Sequence, residues 1–381
     1  MRARMQAEHQ FDSDESIMRY AIELAAQGFG TAEPNPLVGA VIVTPQRHVV
    51  AAGYHQRCGE AHAEAAALRQ AGEAARGNDL FVTLEPCSHT GRTPPCADAV
   101  IRAGIRRVVA GCEDPAPWVA GKGLQKLRDA GIAVECGCCE AEARDLIAPF
   151  RKRVTEQLPW VHAKWAMTLD GRIAADSGHS QWISGADSRA IVHELRGRMD
   201  AIITGAGTVR GDDPLLTARP PGPRTPLRVV LDSTGQSLHE QSQLVTSRDQ
   251  GPVLVCVSAR CEEDRRSHLR QLGLEVLETS GDTQVCLTEV LQELARRELT
   301  HVLLEAGPGL LGTAFDARLV DEVHVFVAPK IVGGSSRASA VGGHGLQQIP
   351  GGSVLHQAKH RACGTDMLIE GRMIRLPQEN S

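Results

Sequence analysis

The stretches AHAEAAALRQ (residues 61–70) and VTLEPCSHTGRTPPC (residues 82–96) decide the fold of the first half of the chain. The first is typical of an alanine-rich helix, and the second begins as an apolar strand and continues into a loop. Four of their side chains can carry chemistry: His62, Glu64, Cys87 and Cys96. Because ligands bind beyond the strand ends of open α/β sheets, we expect these side chains to meet there.

His62, Cys87 and Cys96 have the residue types of a zinc site. A neutral imidazole and two thiolates suit zinc, and three protein ligands leave a fourth tetrahedral position for water, as in catalytic sites. Zinc lowers the pKa of that water towards neutrality. Glu64 lies two residues after His62, where a carboxylate can carry a proton from water to a leaving group. The sequence therefore predicts one zinc ion per chain and Glu64 as the catalytic residue.

The order H-x-E, then P-C, then a second cysteine resembles the signature of the zinc nucleobase deaminases, in which ammonia leaves a ring carbon. The spacing differs from the usual C-x-x-C, because residues 88–95 separate the two cysteines. Gly91, Pro94 and Pro95 supply the turn chemistry by which this loop can return Cys96 to the metal.

Two other interpretations of these residues stay open. His62 can lie on an ordinary helix with the cysteines as buried apolar residues, and this would be favoured for any one of them alone. A closed structural zinc site would need a fourth ligand, for which His89 is the nearby candidate. The combination of all four residues in this order favours the catalytic site.

The composition indicates large aliphatic cores and little excess charge. Of 381 residues, 42% are hydrophobic, 23% charged and 3% aromatic, and the formal net charge is −5. This length suffices for two domains, and the acidic balance argues against a nucleic-acid partner. No apolar run approaches the roughly 20 residues that span a bilayer, and the first residues lack a signal-peptide core, so we expect a cytoplasmic protein without membrane contact. Three of the eleven cysteines cluster, and we expect them to be incidental thiols: Cys136, Cys138 and Cys139.

Strands and helices alternate through residues 1–150, which predicts a three-layer α/β domain, with residues 1–12 frayed. The stretch AEARDLIAPFRKRVTEQLPW (141–160) predicts one helix that stops at Pro159, and we place a linker at 151–159. Residues 160–381 form the second predicted domain. In it a strand enters a glycine loop at 301–309, a helix follows at 312–320, and a hairpin closes the chain.

Gly307, Gly309 and Gly312 fit the pattern G-x-G-x-x-G between a strand and a helix. Backbone amides of such a loop can hold a phosphate, but the pattern alone is a weak signal, since no acidic residue about 20 positions on completes a Rossmann fingerprint. A second loop, TGAGTVRGDDP (204–214), also follows a strand. Two such loops suit a dinucleotide in a non-Rossmann fold, although glycines that serve only tight turns would give the same pattern.

Along nearly its whole length the chain resembles the bacterial bifunctional riboflavin-biosynthesis enzymes, in which a pyrimidine deaminase precedes a reductase. The long insert between the two cysteines is itself the form found in that family. The resemblance is carried by these stretches: NPLVGAVIV (35–43), GYHQRCGEAHAE (53–64), VTLEPCSHTGRTPPC (82–96), EDPAPWVAGKG (113–123), LDGRIA (169–174), SQWISG (180–185), GTVRGDDPLLT (207–217), RVVLDS (228–233) and LEAGP (304–308).

The resemblance implies an α/β fold with a cytidine-deaminase-like first domain and a dihydrofolate-reductase-like second domain. It implies deamination of 2,5-diamino-6-ribosylamino-4(3H)-pyrimidinone 5′-phosphate, followed by NADPH-dependent reduction of the ribosyl group to a ribityl chain. The expected partners are therefore small phosphorylated pyrimidines and a second copy of the chain in a homo-oligomer.

The resemblance also implies residues for each site, beside the zinc ligands and Glu64. The deaminase substrate would contact Asn35, His55, His89 and Arg92. NADPH would contact Ala166, Trp182, Thr208, Asp212, Ser233, Gly307, Pro308, Gly309, Leu310, Leu311, Gly312 and Thr313. The reductase substrate would contact Ser180, Arg196, Leu216, Arg219 and Glu305. Arg196 and Arg219 could each be a solvated charge instead, and Trp182 could be a core anchor. Lys164 and Asp170 receive no firm role.

Two alternatives to this function stay open. One is a tRNA or free-nucleoside deaminase, but such enzymes need only the first domain and usually carry the short C-x-x-C spacing. The other is a binding protein in which a degenerate reductase module senses a nucleotide. Consumption of NADPH with the deaminated substrate separates these alternatives.

Overall fold

The computed structural model describes residues 10–88, 94–117, 119–334, 339–349 and 354–374. Contacts divide the chain into two compact units, between Gln157 and Leu158. Within the described residues, the first unit is built on a five-stranded sheet and the second on a nine-stranded sheet. The predicted linker at 151–159 overlaps a helix that ends at Glu156 and belongs to the first unit.

The sheet of the first unit has the strand order β2-β1-β3-β4-β5. Its strands are β1 (Gly39–Val43), β2 (Val49–Tyr54), β3 (Asp79–Leu84), β4 (Arg107–Cys112) and β5 (Ala133–Cys136). Its helices are α1 (Asp14–Ala26), α2 (Ala63–Ala71), α3 (Cys96–Ala103), α4 (Lys122–Asp129), α5 (Glu140–Leu146) and α6 (Ala148–Glu156). Strand β1 is antiparallel to β2 and β3, whereas β3, β4 and β5 are parallel.

Helices cover both faces of this sheet, which makes the unit three-layered. One core places α2, α3 and α4 against one face, and a second core places α1 against the other. Helix α1 follows the N-cap residue Ser13, whose side-chain oxygen accepts a hydrogen bond from the Ser16 amide. The Ser16 side chain accepts a hydrogen bond from the Ser13 amide in return. A Cβ on Gly39 would lie 2.0 Å from the carbonyl oxygen of Ala21, so α1 packs directly on the backbone of β1.

The single helix predicted at 141–160 is wrong, because the structure has two helices, α5 and α6. They meet at Ile147, whose ψ of 8° is not helical. Pro149 lies at the start of α6, where its missing N–H is tolerated. In one continuous helix the same proline would remove an interior hydrogen bond and clash with the preceding turn.

The sheet of the second unit has the strand order β10-β9-β8-β7-β11-β6-β12-β14-β13. Its strands are β6 (Trp160–Thr168), β7 (Ala201–Gly205), β8 (Leu227–Leu231), β9 (Val253–Val257), β10 (Glu275–Glu278), β11 (His301–Glu305), β12 (Glu322–Ala328), β13 (Leu355–Cys363) and β14 (Asp366–Met373). Its helices are α7 (Ala186–Arg196), α8 (Ala206–Asp212), α9 (Gln243–Thr246), α10 (Glu263–Gln271), α11 (Leu287–Arg296) and α12 (Pro308–Asp316). The strands from β10 to β12 are parallel, and β14 and β13 are antiparallel, which is the predicted closing hairpin.

Two predictions for the second unit differ from the structure. The loop predicted at 204–214 contains the helix α8. The helix predicted at 312–320 begins earlier, at Pro308, because a proline is well suited to the first helical position.

Among the described residues, no helix combines the length and the apolar character needed to cross a membrane.

Candidate active sites

Three different elements of the first unit bring the predicted zinc ligands together. His62 is the N-cap residue of α2, Cys87 follows β3, and Cys96 is the first residue of α3. The His62 Nδ1 atom lies 3.7 Å from the Cys87 Sγ and 3.3 Å from the Cys96 Sγ. Ligands at zinc bond lengths of 2.0–2.3 Å in a tetrahedron are separated by about 3.3–3.8 Å, so this donor set fits the metal.

The surroundings of Cys87 favour its thiolate. Hydrogen bonds from the Cys96 thiol, the His62 ring and the backbone N–H of Cys96 lower the pKa of the Cys87 thiol, against the opposing effect of burial. The Cys96 N–H donates to the Cys87 Sγ over 3.3 Å. The thiolate is the form of cysteine that binds a metal, so Cys87 is suited to be a ligand.

Glu64 lies in the first turn of α2, beside the ligand set, and its side chain is buried with 3% of the residue exposed. Burial raises the pKa of its carboxyl group to about 7. A group with a pKa near neutrality can both accept and release a proton at physiological pH. This environment suits the proton carrier that the sequence predicts.

His55 and Asn35 form a hydrogen-bonded pair next to the ligand set. The His55 ring lies edge-on to the His62 ring with 5.3 Å between the centroids. The Nδ1 atom of His55 is 3.1 Å from the Ala61 carbonyl oxygen, and its Nε2 atom is 3.0 Å from the Asn35 Nδ2 atom. This pattern fits a neutral ring that donates to Ala61 and accepts from Asn35, and burial lowers the His55 pKa in the same direction.

His89 and Arg92, which the resemblance places in the substrate pocket, lie outside the described residues. The interpretation of His89 as a fourth ligand in a closed zinc site lies there as well.

A buried carboxylate that sequence reasoning missed holds the loop beneath the site. Glu85 lies two residues before Cys87 and has 3% of its surface exposed. Its carboxylate accepts from the backbone N–H groups of Asp114, Gly121 and Gly123, at 3.1, 2.8 and 2.7 Å. The link fixes the chain end of β3 against the start of α4. Only the isolated acidic residue at the end of an apolar strand could have signalled it.

In the second unit, the two predicted glycine loops follow neighbouring strands, β7 and β11, which pair in parallel. A Cβ on Gly205 would lie 3.7 Å from a Leu310 methyl group, so the starts of α8 and α12 are in contact range. Added Cβ atoms on four glycines of these loops would meet nothing within 4 Å: Gly207, Gly211, Gly307 and Gly309. None of these four has a positive φ, so a tight turn is not the reason for glycine there.

Gly312 is different, because its missing side chain is a packing requirement. A Cβ there would lie 2.3 Å from the backbone of Gly342 and Gly343. The pattern G-x-G-x-x-G thus combines two glycines that leave open space with one that allows close contact between chain segments.

Glu305, at the end of β11, is the centre of a buried ion triad. Its carboxylate oxygens lie 2.6 and 3.0 Å from the Nε and Nη2 atoms of Arg196. The Lys164 Nζ atom lies 3.6 Å away, from the paired position on β6. Burial alone would raise the pKa of Glu305, but the charges of Arg196 and Lys164 outweigh it and hold the value at about 2. Lys164, which had no role from sequence, therefore belongs to this group.

The segment around Trp182 lies near the end of α8. The Gln181 side-chain amide is 3.5 Å from an Asp212 carboxylate oxygen. Trp182 is 64% exposed, with the Arg189 guanidinium 4.8 Å above its ring, so it is not a core anchor. Lys330 donates to the Trp182 carbonyl at 2.7 Å. The segment is thus held through its backbone, while most of the Trp182 side chain remains exposed.

The other predicted reductase residues are spread over the same sheet. Ala166 lies on β6 and packs against the small core under α7. Leu216 is buried and Arg219 is exposed. Ser233 follows β8, and its hydroxyl accepts from the Val285 amide over 3.2 Å. Thr208 lies on α8, and Ser180 is half-buried in the segment before Trp182.

Asp170 has a clear structural partner set. The Thr168 hydroxyl, the Gly333 amide and the Val332 amide donate to its carboxylate and lower its pKa to about 2. Asp170 therefore joins the turn after β6 to the segment after β12. Cys136, Cys138 and Cys139 belong to no metal-ligating group within the described residues.

Two family models match the chain. The cytidine and deoxycytidylate deaminase zinc-binding region matches residues 11–112, and the RibD C-terminal domain matches residues 159–369. The chain is 40% identical over 357 residues to the riboflavin biosynthesis protein RibD of Aquifex aeolicus, covering 93% of this chain and 97% of that protein. It is 41% identical over 354 residues to RibD of Escherichia coli, covering 89% and 92%.

Solved structures agree with these relatives. RibD of Acinetobacter baumannii superposes with a TM-score of 0.81 at 36% identity, covering 95% of this chain and 99% of that one. A diaminohydroxyphosphoribosylaminopyrimidine deaminase/5-amino-6-(5-phosphoribosylamino)uracil reductase of Thermotoga maritima gives a TM-score of 0.80 at 36% identity, covering 94% and 98%. The expected α/β fold, with a deaminase domain before a reductase domain, is confirmed. With an intact zinc-ligand set in its first unit and relatives that match both units, the chain belongs to the RibD family of riboflavin-biosynthesis deaminase/reductases.

Proposed function

We propose that the first unit deaminates 2,5-diamino-6-ribosylamino-4(3H)-pyrimidinone 5′-phosphate and that the second unit then reduces the ribosyl group of the product with NADPH. The observation that carries the proposal is the Glu64 carboxyl group, buried with a pKa near 7 beside a donor set that fits zinc. The Thermotoga maritima relative is named for the same two activities.

In the deaminase site, His62, Cys87 and Cys96 would hold the zinc ion. Bound zinc supplies the Lewis acidity that makes water a nucleophile near neutral pH. Glu64 takes a proton from the attacking water and delivers it to the departing amine, because its carboxyl group exchanges protons near neutrality. Glu64 lies in the first turn of α2, two residues after the N-cap His62, so one helix positions both groups.

Asn35 and His55 would orient the pyrimidine ring. His55 is held in one tautomer by Ala61, and it in turn fixes the Asn35 amide. The Asn35 carbonyl oxygen and its second N–H are then available for the hydrogen-bonding edge of the ring. By the family resemblance, His89 and Arg92 complete the proposed substrate set, and Arg92 would bind the phosphate.

In the reductase site, the open space over the glycines at the starts of α8 and α12 would receive NADPH, which supplies the hydride. Backbone N–H groups at the start of α12 can hold a phosphate of the dinucleotide. Asp212 ends α8, and the Gln181 side chain joins it to the segment that carries Trp182. These residues bind and orient the cofactor.

The substrate ribose would lie at the Lys164–Glu305–Arg196 triad. The carboxylate of Glu305 is fixed by two cations, so it can accept hydrogen bonds from sugar hydroxyls without moving. Since Arg196 is already engaged with Glu305, Arg219, which is exposed, is the better candidate for the substrate phosphate. The cytoplasmic location and the homo-oligomer stay predictions.

The test is to supply the purified full-length chain with the diamino substrate and NADPH and to follow ammonia and NADPH separately. We expect ammonia release without NADPH, and NADPH oxidation only after deamination or on addition of the deaminated product. Ammonia release with no NADPH oxidation under any condition would favour the binding-protein alternative for the second unit. Ammonia release from free nucleosides alone would favour the other deaminase class.

A further inference from the structure

A second group of metal-ligating side chains lies in the sheet of the reductase unit. Within the described residues, two groups of three His, Cys, Asp or Glu side chains have their ligand atoms within 4.8 Å of one another. One is the deaminase ligand set. The other consists of His162, Glu322 and His324, on the adjacent strands β6 and β12. It lies near the start of these strands, whereas the proposed NADPH loops follow the ends of β7 and β11.

The ligand atoms of the three side chains lie close together, but only the two imidazole nitrogens are within hydrogen-bond range of each other. The His162 Nδ1 atom and the His324 Nε2 atom are 3.2 Å apart. Each of these nitrogens lies 3.8 Å from an oxygen of the Glu322 carboxylate, which is beyond hydrogen-bond range. Nitrogen ligands of a tetrahedral zinc ion are separated by about 3.3 Å. The spacing therefore leaves room for an ion between the two imidazole nitrogens and the Glu322 carboxylate, whose Oε2 faces His162 and whose Oε1 faces His324.

The other nitrogen of each ring is already held by an outer partner. The Nδ1 atom of His324 is 2.9 Å from a Glu370 carboxylate oxygen, and the Nε2 atom of His162 is 3.0 Å from the His301 Nδ1 atom. A metal-bound histidine commonly donates its second N–H to a carboxylate or another acceptor, which fixes the ring and its tautomer. Both imidazoles meet this requirement.

Glu322 is also oriented from outside. The Trp160 indole Nε1–H donates to its Oε2 atom over 3.2 Å. The side chain of Glu322 is 25% exposed and that of Glu370 is 28% exposed, while both ligand imidazoles are buried. Solvent thus reaches the carboxylate side of the group, and an ion can enter there.

We propose that His162, His324 and Glu322 bind a second divalent metal ion of the zinc class, in the reductase unit. Two imidazoles and one carboxylate suit zinc and leave one position for water. The ion would join β6 to β12 directly and reach β11 and β14 through His301 and Glu370, so its effect would be to stabilise this end of the sheet. The sequence predicts one zinc per chain, because only the first unit offers a His/Cys/Cys set, whereas this second group forms only when β6 and β12 pair. This proposal does not depend on the proposed function.

The same contacts also suit a metal-free chain of neutral imidazoles, with His301 donating to His162, His162 to His324, and His324 to Glu370. Metal binding replaces the middle hydrogen bond of this chain and reverses the one between His301 and His162, because a neutral His162 ring that binds the ion through Nδ1 carries its proton on Nε2. The two states therefore differ in metal content and not in the position of the side chains, and a metal measurement separates them.

The experiment is the zinc content of full-length protein prepared with zinc present and then freed of loosely bound metal by gel filtration. We expect two zinc ions per chain in the wild type and one in His324→Gln. His360→Gln is the matched control, because His360 is an exposed histidine on β13 outside the group, and it should retain two. Cys96→Ser should retain one, and the combination of Cys96→Ser with His324→Gln should retain none.

Cobalt gives a second readout that separates the two sites. Cobalt at the deaminase site should show sulfur-to-metal charge-transfer absorption, and cobalt at the second site should not, because its ligands are nitrogen and oxygen. If His324→Gln does not fold, Glu322→Gln takes its place. One zinc per wild-type chain, or two in a folded His324→Gln or Glu322→Gln protein, would overturn the proposal in favour of the metal-free hydrogen-bonded chain.

Discussion

Glu305, at the end of β11, and Arg196, the last residue of α7, form a bidentate ion pair with N···O distances of 2.6 and 3.0 Å. Lys164 adds a second cation from β6. The pair is buried, and breaking a buried pair by removing one charge leaves the other without compensation. It therefore ties the helix to the sheet at the place where the proposed substrate binds.

We predict that Glu305→Gln lowers the free energy of unfolding by roughly 3–5 kcal/mol at neutral pH. Glu194→Gln is the control, because the exposed Glu194 on the same helix pairs with Arg198 just after the helix ends, and such a surface pair is worth about 0–1 kcal/mol. Urea unfolding of the two variants measures the difference. Equal effects would mean that the buried triad adds nothing beyond an ordinary surface pair.

The same carboxylate predicts a pH dependence. Its pKa is about 2 in the folded chain against an ordinary value of 4.5, so the folded state favours the charged form. The stabilisation is complete above pH 4.5 and is lost as the pH falls from there towards 2. The gap in unfolding free energy between wild type and Glu305→Gln should therefore stay constant from neutral pH to 4.5 and narrow below it. A gap that widened in acid would contradict the assignment.

Two glycines of one motif should respond in opposite ways to alanine. Gly309→Ala adds a Cβ where nothing lies within 4 Å and should stabilise α12 by up to about 1 kcal/mol, yet raise the KM for NADPH. Gly312→Ala places a Cβ against the backbone of Gly342 and Gly343 and should cost about 1–3 kcal/mol. Thermal unfolding and NADPH titration are measured on both variants. Unchanged NADPH affinity in Gly309→Ala would remove the loop from the cofactor site.

Much of the fold could be predicted from the sequence where a local pattern was strong. The strand β1 is a continuous apolar run, β3 is apolar at most of its positions, and α1 carries its own capping residues. The errors arose where one residue decided the outcome, as at Pro149, which divides one predicted helix into two. The short helix α8 was missed because two of its seven residues are glycines, which the sequence pattern presents as a loop.

The candidate sites could likewise be predicted only where their residues lie in local sequence motifs. His62, Glu64, Cys87 and Cys96 lie in two recognisable motifs, so their meeting could be predicted. Lys164 and Glu305 are far apart in the chain and meet only through strand pairing in β6 and β11. His162, His301 and His324 likewise come together only in the folded sheet, and no local sequence pattern predicts their contact.

Glu64→Gln tests the proton carrier while keeping the size of the side chain. Zinc content should not change, because all three ligands remain, and deamination should fall roughly 10²–10⁴-fold. Glu60→Gln, four residues earlier and exposed, should deaminate normally. Reduction of supplied deaminated product should be normal in both. Near-normal deamination by Glu64→Gln would exclude the assigned role.

The most direct test of two independent sites uses one variant from each unit and two separate readouts. Cys96→Ser removes a ligand in the first unit, and Asp212→Ala removes a proposed cofactor contact in the second. With ammonia and NADPH followed separately, Cys96→Ser should lose ammonia release and still reduce deaminated substrate at the wild-type rate. Asp212→Ala should release ammonia normally and need more NADPH. Loss of reduction in a folded Cys96→Ser chain, supplied with deaminated substrate, would contradict the two-site account.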